Sequence, residues 1–342
     1  MTTLPETMPY TYEQVLKCKD ITEEALEKDY KALCDFPADT NPRKFCGNKI
    51  LYHYQMKNIL ACKRGNKGYK TLEEWFADPE LKEKLWKDTI TRNRRAKAPV
   101  PSPTDVYECH RINNGSIVFF KSSTAKYIYK KFNAKNVLDP TAGWGGRMLA
   151  AMSLGINYTG YDTNVNMIDA YKKMMDIHYP MVQAEVIEGA FSTKGYYKKY
   201  ESRVSPNYHN FRMKMNWKNC LELEGDFTEN DYDLVLTSPP YGNMELYEHM
   251  TPWKTDNEYF TEFLVPLMNK LFAETNCPIC INVSPRIYHK LTSALNNYGI
   301  RACDEEVDLR QQLGKQYKTK SQDLIYVWYP VNDDGDDDEL FK

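Results

Sequence analysis

From residue 136 onward, short apolar runs alternate with helix-length segments. This alternation restricts the fold more than any other feature of the chain. "NVLDP" (136–140), "YTGYD" (158–162), "YDLVLTS" (232–238) and "PICINVS" (278–284) read as buried strands. "GGRMLAAMSLG", "VNMIDAYKKMMDIH", "NEYFTEFLVPLMNKLFAET" (kinked at Pro266) and "PRIYHKLTSALNNYG" read as the helices between and after them. "AEVIEG" (184–189) and "CLELEG" (220–225) are further strand candidates, and "RACDEEVDL" with "DLIYVWY" makes a closing pair. Strands alternating with helices predict an α/β fold with a doubly wound, mostly parallel sheet, whose ligands bind at the carboxyl ends of the strands.

Residues 1–98 read differently. Asp20 and Glu23 form a capping box before "TEEALEKDYKALC", and Thr71 and Glu74 form another before "LEEWFA". Asp78 caps a helix that has Pro79 at its first position, and "NKILYHYQMKNILACKRG" is a helix ended by Gly65. The three prolines of "KAPVPSPTD" (97–105) predict a linker over 99–114. The expected organisation is a basic helical domain (1–98), the linker, an α/β domain (115–330) with an insertion at about 190–219, and a disordered acidic tail (331–342).

Composition excludes several classes. No apolar run is long enough to span a membrane, and the N-terminus lacks a secretory pattern. Nine scattered cysteines predict free thiols in a reducing compartment, cytoplasm or nucleus. Cys277-Pro-Ile-Cys280 reads as a buried strand, so no metal site is predicted. The net charge is −2, yet the last twelve residues hold six acids and one lysine, so the remainder is basic. Eight Lys/Arg and no acid lie between Asn41 and Leu72, and seven Lys/Arg with one acid (Glu201) lie between Ala190 and Asn219. Basic stretches interleaved with tyrosine suit a phosphate backbone and stacked bases.

Two strand-end loops carry the chemistry. In "LDPTAGWGGR" the strand ends at Asp139, and Gly143, Gly145 and Gly146 let the backbone approach a ligand closely. Asp162 ends the second strand, where an acid binds ribose hydroxyls; no Lys-Ser/Thr follows the glycines, so this is no P-loop. The second loop is Ser238-Pro239-Pro240-Tyr241. The Ser238 hydroxyl and the Pro239 carbonyl, held in place by proline's fixed φ, suit two N–H groups of one amine, and Tyr241 offers a ring face.

"DPTAGWGGR" followed by "TSPPY" resembles the paired motifs of S-adenosylmethionine-dependent amino-methyltransferases, the DNA cytosine-N4 and adenine-N6 enzymes, with phage and large-virus members nearest in composition. "FFKSSTAKYIYKKF" (119–132) is similar to the segment that precedes the first motif in that family, with Lys121 at its characteristic position. The resemblance covers about 115–330 and implies a seven-stranded Rossmann-like methyltransferase sheet. It further implies S-adenosylmethionine held by Lys121, Asp139, Pro140, Thr141, Ala142, Gly143, Trp144, Gly145, Gly146, Asp162, Thr163, Asp226 and Phe227. Asp139 would meet the methionine ammonium and Asp162 the ribose. Asp226, or alternatively Glu188, would meet the adenine. Ser238, Pro239, Pro240 and Tyr241 would form the catalytic loop, with Tyr241 stacked on a base flipped from DNA. Thr141 and Trp144 depart from the family's usual residues, and "GNMELYEHMTPW" (242–253) is expected to cover the target pocket. The alternatives are an RNA base-amine methyltransferase, a protein-glutamine methyltransferase, which Ser238 disfavours, and an inactive nucleic-acid-binding or scaffold protein of the same fold.

Overall fold

The structure is a computed structural model that describes residues 4–37, 45–63, 65, 68–95, 100–115, 117–178, 183–187, 190–195, 211–228, 230–244, 246–247, 250–309 and 324–331. The helices in chain order are α1 (Tyr12–Leu16), α2 (Glu23–Cys34), α3 (Asn48–Ala61), α4 (Leu72–Ala77), α5 (Pro79–Arg95), α6 (Pro103–Asn114), α7 (Ser122–Lys131), α8 (Gly146–Leu154), α9 (Ile168–His178), α10 (Asp256–Tyr259), α11 (Val265–Glu274) and α12 (Pro285–Thr292). The strands are β1 (Asn136–Asp139), β2 (Asn157–Tyr161), β3 (Gln183–Ile187), β4 (Ala190–Gly195), β5 (Phe211–Asn216), β6 (Leu234–Thr237), β7 (Ile279–Asn282), β8 (Glu305–Asp308) and β9 (Leu324–Trp328).

Among the described residues, nine strands join one sheet in the order β3-β4-β5-β2-β1-β6-β7-β9-β8. From β5 to β7 neighbouring strands are parallel, whereas β9 is antiparallel to both β7 and β8. The seven strands from β5 to β8 form the expected doubly wound Rossmann-like methyltransferase sheet. The antiparallel pair β3 and β4 extends its β5 edge.

Side-chain alternation divides the core cleanly. Val137, Leu234, Leu236, Cys280, Ile325 and Val327 join the cluster on one face, with α7, α8 and α9. Leu138, Val235, Ile279, Ile281, Tyr326 and Trp328 join the other, with α10, α11 and α12. Successive strand residues point to opposite faces, so a strand buried on both sides reads as a continuous apolar run, as Leu234–Leu236 of β6 and Leu324–Trp328 of β9 do.

Four sequence expectations are corrected. "CLELEG" is a turn rather than a strand: Glu274 accepts hydrogen bonds from the Gly225 and Phe227 amides, and Leu223 is exposed. The third parallel strand is instead β5, inside the stretch expected as an insertion. Its Met213 and Met215 face the core while Arg212 and Lys214 alternate with them, which made the segment read as basic surface. The N-cap of α2 is Thr22, whose hydroxyl accepts from the Ala25 amide, rather than Asp20. Finally, the linker expected over 99–114 contains α6, started by a Ser102–Asp105 capping box with Pro103 at its first position. The prolines there mark a helix start.

Part of the N-terminal region shares the core of the sheet. Leu26, Tyr30, Leu33, Ile50 and Leu51 of α2 and α3 belong to the same cluster as β1, β2 and α8. Only α1, α4, α5 and α6 gather around a satellite core, with Trp75, Trp86 and Tyr107 at its centre and Met56 and Leu60 of α3 joining it. Lys126 of α7 reinforces the join by donating to the Leu33 and Cys34 carbonyls at the end of α2, at 2.6 and 2.8 Å. Among the described residues, no helix is long and apolar enough to cross a membrane. Cys277 and Cys280 are buried, and burial pushes the Cys277 thiol up to about 11.

Candidate functional site

The carboxyl ends of β1, β2, β5 and β6 open into a cavity of about 310 Å³, within the range of small-molecule sites. One half is lined by Pro140, Thr141, Gly143 and Trp144 after β1, Asp162, Thr163, Asn164 and Met167 after β2, and Lys218, Asn219 and Cys220 after β5. The other half is lined by Ser238, Pro240, Tyr247, Met250, Thr251, Trp253 and Phe263. The two sequence loops therefore share one cavity.

The first loop is built by close approach. Gly145 has φ +90°, and a Cβ there would meet the Met174 methyl at 2.8 Å. A Cβ on Gly146 would run into the Phe120 carbonyl, so the segment upstream of α7 packs directly on this loop. The Gly143 amide donates to Asp162 at 2.8 Å, the Gly143 carbonyl accepts from Tyr171 at 2.7 Å, and the Ala142 amide donates to the Tyr161 carbonyl at 2.8 Å. Asp162 also accepts from the Asn164 amide at 2.9 Å. Burial raises the Asp162 carboxyl to about 6, only partly offset by these two amides. A carboxylate pushed up in this way on a cavity wall favours a ligand that donates hydrogen bonds to it.

Asp139 has a different role from the expected one. It is 0% exposed, and its oxygens accept from Arg147 Nε at 2.6 Å, the Tyr158 hydroxyl at 2.6 Å and the Thr237 hydroxyl at 2.9 Å. Arg147 is itself buried, donates to the Thr141 carbonyl and lies over the Phe120 ring. Thr237 shares a 2.6 Å hydrogen bond with Thr141. Asp139 is thus the hub that ties β1, β2, β6 and α8 together, behind the cavity wall rather than on it.

Other predicted residues also move. Lys121 is the N-cap residue of α7, its ammonium over the Phe45 ring at 4.1 Å, and it does not line the cavity. Asp226 lies behind Lys218, with which it forms a 2.9 Å ion pair, and Phe227 is core. The residues that reach the cavity from this side are Lys218, Asn219 and Cys220, hidden in the sequence because β5 was not recognised. Burial raises the Cys220 thiol to about 12. Glu188 lies outside the described residues.

The second loop keeps Ser238 and Pro240 on the wall, with Pro239 buried. Tyr241 packs instead on the α10–α12 side, and its hydroxyl donates to the Asn282 side chain at 3.0 Å. The aromatic walls of the cavity are Trp144, Tyr161, Tyr247, Trp253 and Phe263. Trp253 packs edge-on against Tyr259 at 5.0 Å and beside Phe263 at 5.8 Å, so it serves core and cavity at once. Phe263 comes from a π-helical turn, Phe260–Leu264, placed just before Pro266. Proline lacks the N–H of a regular turn, and a wider turn absorbs the fault while re-aiming a side chain.

The segment over the cavity is anchored at two points. Asn243 exchanges hydrogen bonds with the Trp253 backbone at 2.5 and 3.0 Å. Leu246 pairs with Lys63 through backbone bonds of 2.7 and 3.1 Å, which joins the N-terminal region to the cover.

No protein-family model and no curated protein matches the sequence. Solved structures do match in part. A SAM-dependent methyltransferase from Neisseria gonorrhoeae aligns at 14% identity over 65% of this chain and 78% of its own, with a TM-score of 0.35. The plantazolicin methyltransferase BpumL, solved in complex with SAH, aligns at 12% identity over 82% of this chain and 97% of its own, with a TM-score of 0.30. An O-methyltransferase family protein from Burkholderia thailandensis aligns at 12% identity over 95% and 100%, with a TM-score of 0.29. The sheet order β5-β2-β1-β6-β7-β9-β8 itself defines the fold.

Proposed function

We propose that the protein transfers a methyl group from S-adenosylmethionine to the exocyclic amine of a nucleobase in DNA, cytosine N4 or adenine N6. The observation that carries this reading is the single two-ended cavity. A glycine loop and a ribose-type carboxylate lie at one end, and Ser238 sits among aromatic walls at the other. The residues fit the cofactor: Asp162 would hold two ribose hydroxyls, Asn219 and Cys220 would meet its adenine, and the backbone near Gly143 would admit a close ligand. The target end offers Ser238, Thr251 and flat apolar walls, which suits a planar, uncharged ring with one polar group to grip.

Bound S-adenosylmethionine supplies a methyl group that is already electrophilic. The protein's part is to position and improve the nucleophile. A ring amine is poor because its lone pair is delocalised into the ring. Ser238 Oγ accepts one N–H, and the carbonyl of Pro239, fixed by proline's φ, is the candidate acceptor for the other. These bonds draw the nitrogen toward tetrahedral geometry and stabilise the positive charge that develops as it attacks. Trp144, Tyr247, Trp253 and Phe263 hold the ring plane and exclude water.

The test is incubation with isotopically labelled S-adenosylmethionine and DNA or RNA, followed by digestion and mass spectrometry of the nucleosides. Labelled N4-methylcytosine or N6-methyladenine from DNA is the expected result. Label in RNA alone would move the substrate to RNA. Failure to bind the cofactor by calorimetry would replace the enzyme reading with a scaffold one. Ser238→Ala should lower transfer by roughly 100- to 1,000-fold, to a rate that is still measurable, and leave cofactor affinity unchanged.

A further inference from the structure

Beside the serine of the second loop lies a buried amide that the sequence reading did not single out. Asn282 ends β7, is 8% exposed, and follows three core residues. Its Nδ2 donates to the Leu324 carbonyl of β9 at 2.8 Å. The opposite amide orientation would set two oxygens face to face, so Oδ1 is directed away from β9. Two hydroxyls meet that oxygen: Tyr241 at 3.0 Å and Ser238 at 3.4 Å, with the Asn282 backbone carbonyl a further 3.4 Å from each. Asn282 presents only acceptors on this side, so in each of these contacts the hydroxyl is the donor.

A serine hydroxyl carries one proton and two acceptor lone pairs. If that proton swung into the cavity, it would hydrogen-bond the amine lone pair and oppose attack. Directed at Asn282, it leaves the Ser238 lone pairs for the amine N–H. On the proposed amine methylation, on which this inference rests, we propose that Asn282 is a positioning residue that sets the direction of the Ser238 hydroxyl and holds Tyr241 beside it.

The test is a double-mutant cycle on methyl transfer with labelled S-adenosylmethionine and duplex DNA or RNA. Asn282→Ala should lower kcat by roughly 10- to 100-fold, the range typical of outer partners that orient a working group. Cofactor affinity by calorimetry should stay within about twofold. Because Asn282 acts through Ser238, Asn282→Ala added to Ser238→Ala should slow transfer by no more than about twofold further. Losses that multiply, or wild-type kcat in Asn282→Ala, would overturn the inference while leaving the methyltransferase reading intact. A wild type that methylates no nucleic acid would overturn both.

Should Asn282→Ala not fold, Asn282→Asp serves instead. A neutral carboxylic acid reproduces both hydrogen bonds, but its anion faces the Leu324 carbonyl. Either form still accepts from the Ser238 hydroxyl, so a folded Asn282→Asp should retain transfer that Asn282→Ala loses. A folded Asn282→Asp as inactive as Ser238→Ala would overturn the assignment.

Discussion

At the residue scale, Asp162 makes the clearest claim on function. Burial raises its carboxyl to about 6, above the ordinary value of 3.8. In the free protein, the folded state therefore holds this proton more tightly than the unfolded chain does. That contribution to stability is full below about pH 3.8 and is lost as pH rises through about 6. At the proposed cofactor site, ribose hydroxyls would reverse the sign, because they would donate to the charged form. Binding below about pH 6 should thus release a proton, and cofactor affinity should fall as pH drops through that value. Calorimetry in buffers of different ionisation enthalpy measures the released proton directly, and pH-independent binding would refute the assignment. Asp162→Ala should also weaken the cofactor about tenfold or more, in line with the loss of a charge-assisted hydrogen bond. Asp162 was legible in the sequence because its position depends only on the end of one strand. The role of Asp139 was not, since three of its partners, Arg147, Tyr158 and Thr237, come from other elements.

At the scale of elements, the buried hub around Asp139 joins the first loop to the strand that carries Ser238. Asp139→Ala leaves Arg147 charged and unpaired in the core, and breaking such a pair costs about 3–5 kcal/mol. The expected outcome is a lower midpoint in chemical denaturation. If the variant keeps its stability and only loses cofactor affinity, Asp139 contacts the ligand after all. Gly146→Ala should be nearly as damaging as the hub variant, because its Cβ would displace the Phe120 backbone. Local patterns predicted α4 and α5 well: the Thr71–Glu74 capping box and the Asp78 cap are both present. They failed for β5 and for "CLELEG". Both alternate apolar and polar residues, and the choice between strand and turn depends on whether Met213 and Met215 find a sheet neighbour or Glu274 reaches the Gly225 amide.

At the scale of the whole molecule, α2 and α3 share a core with the sheet, and the Lys63–Leu246 pairing ties the same region to the cover of the cavity. A fragment of residues 115–330 should therefore fail to fold cooperatively. Near-ultraviolet circular dichroism of the fragment would check this, and a sharp native-like transition would contradict it. The sequence alone determined the doubly wound sheet, the glycine loop, Asp162 and the Ser-Pro-Pro-Tyr stop, because each follows from local periodicity or from the backbone limits of glycine and proline. Only the tertiary structure decided what the charged and aromatic side chains do. It moved Asp139, Asp226 and Tyr241 away from the cavity and brought in Lys218, Asn219, Phe263 and, beside Ser238, Asn282. The physical reason is that a buried polar group is defined by its partners, and those partners are distant in the chain: Thr237 lies 98 residues from Asp139, and Tyr241 lies 41 from Asn282.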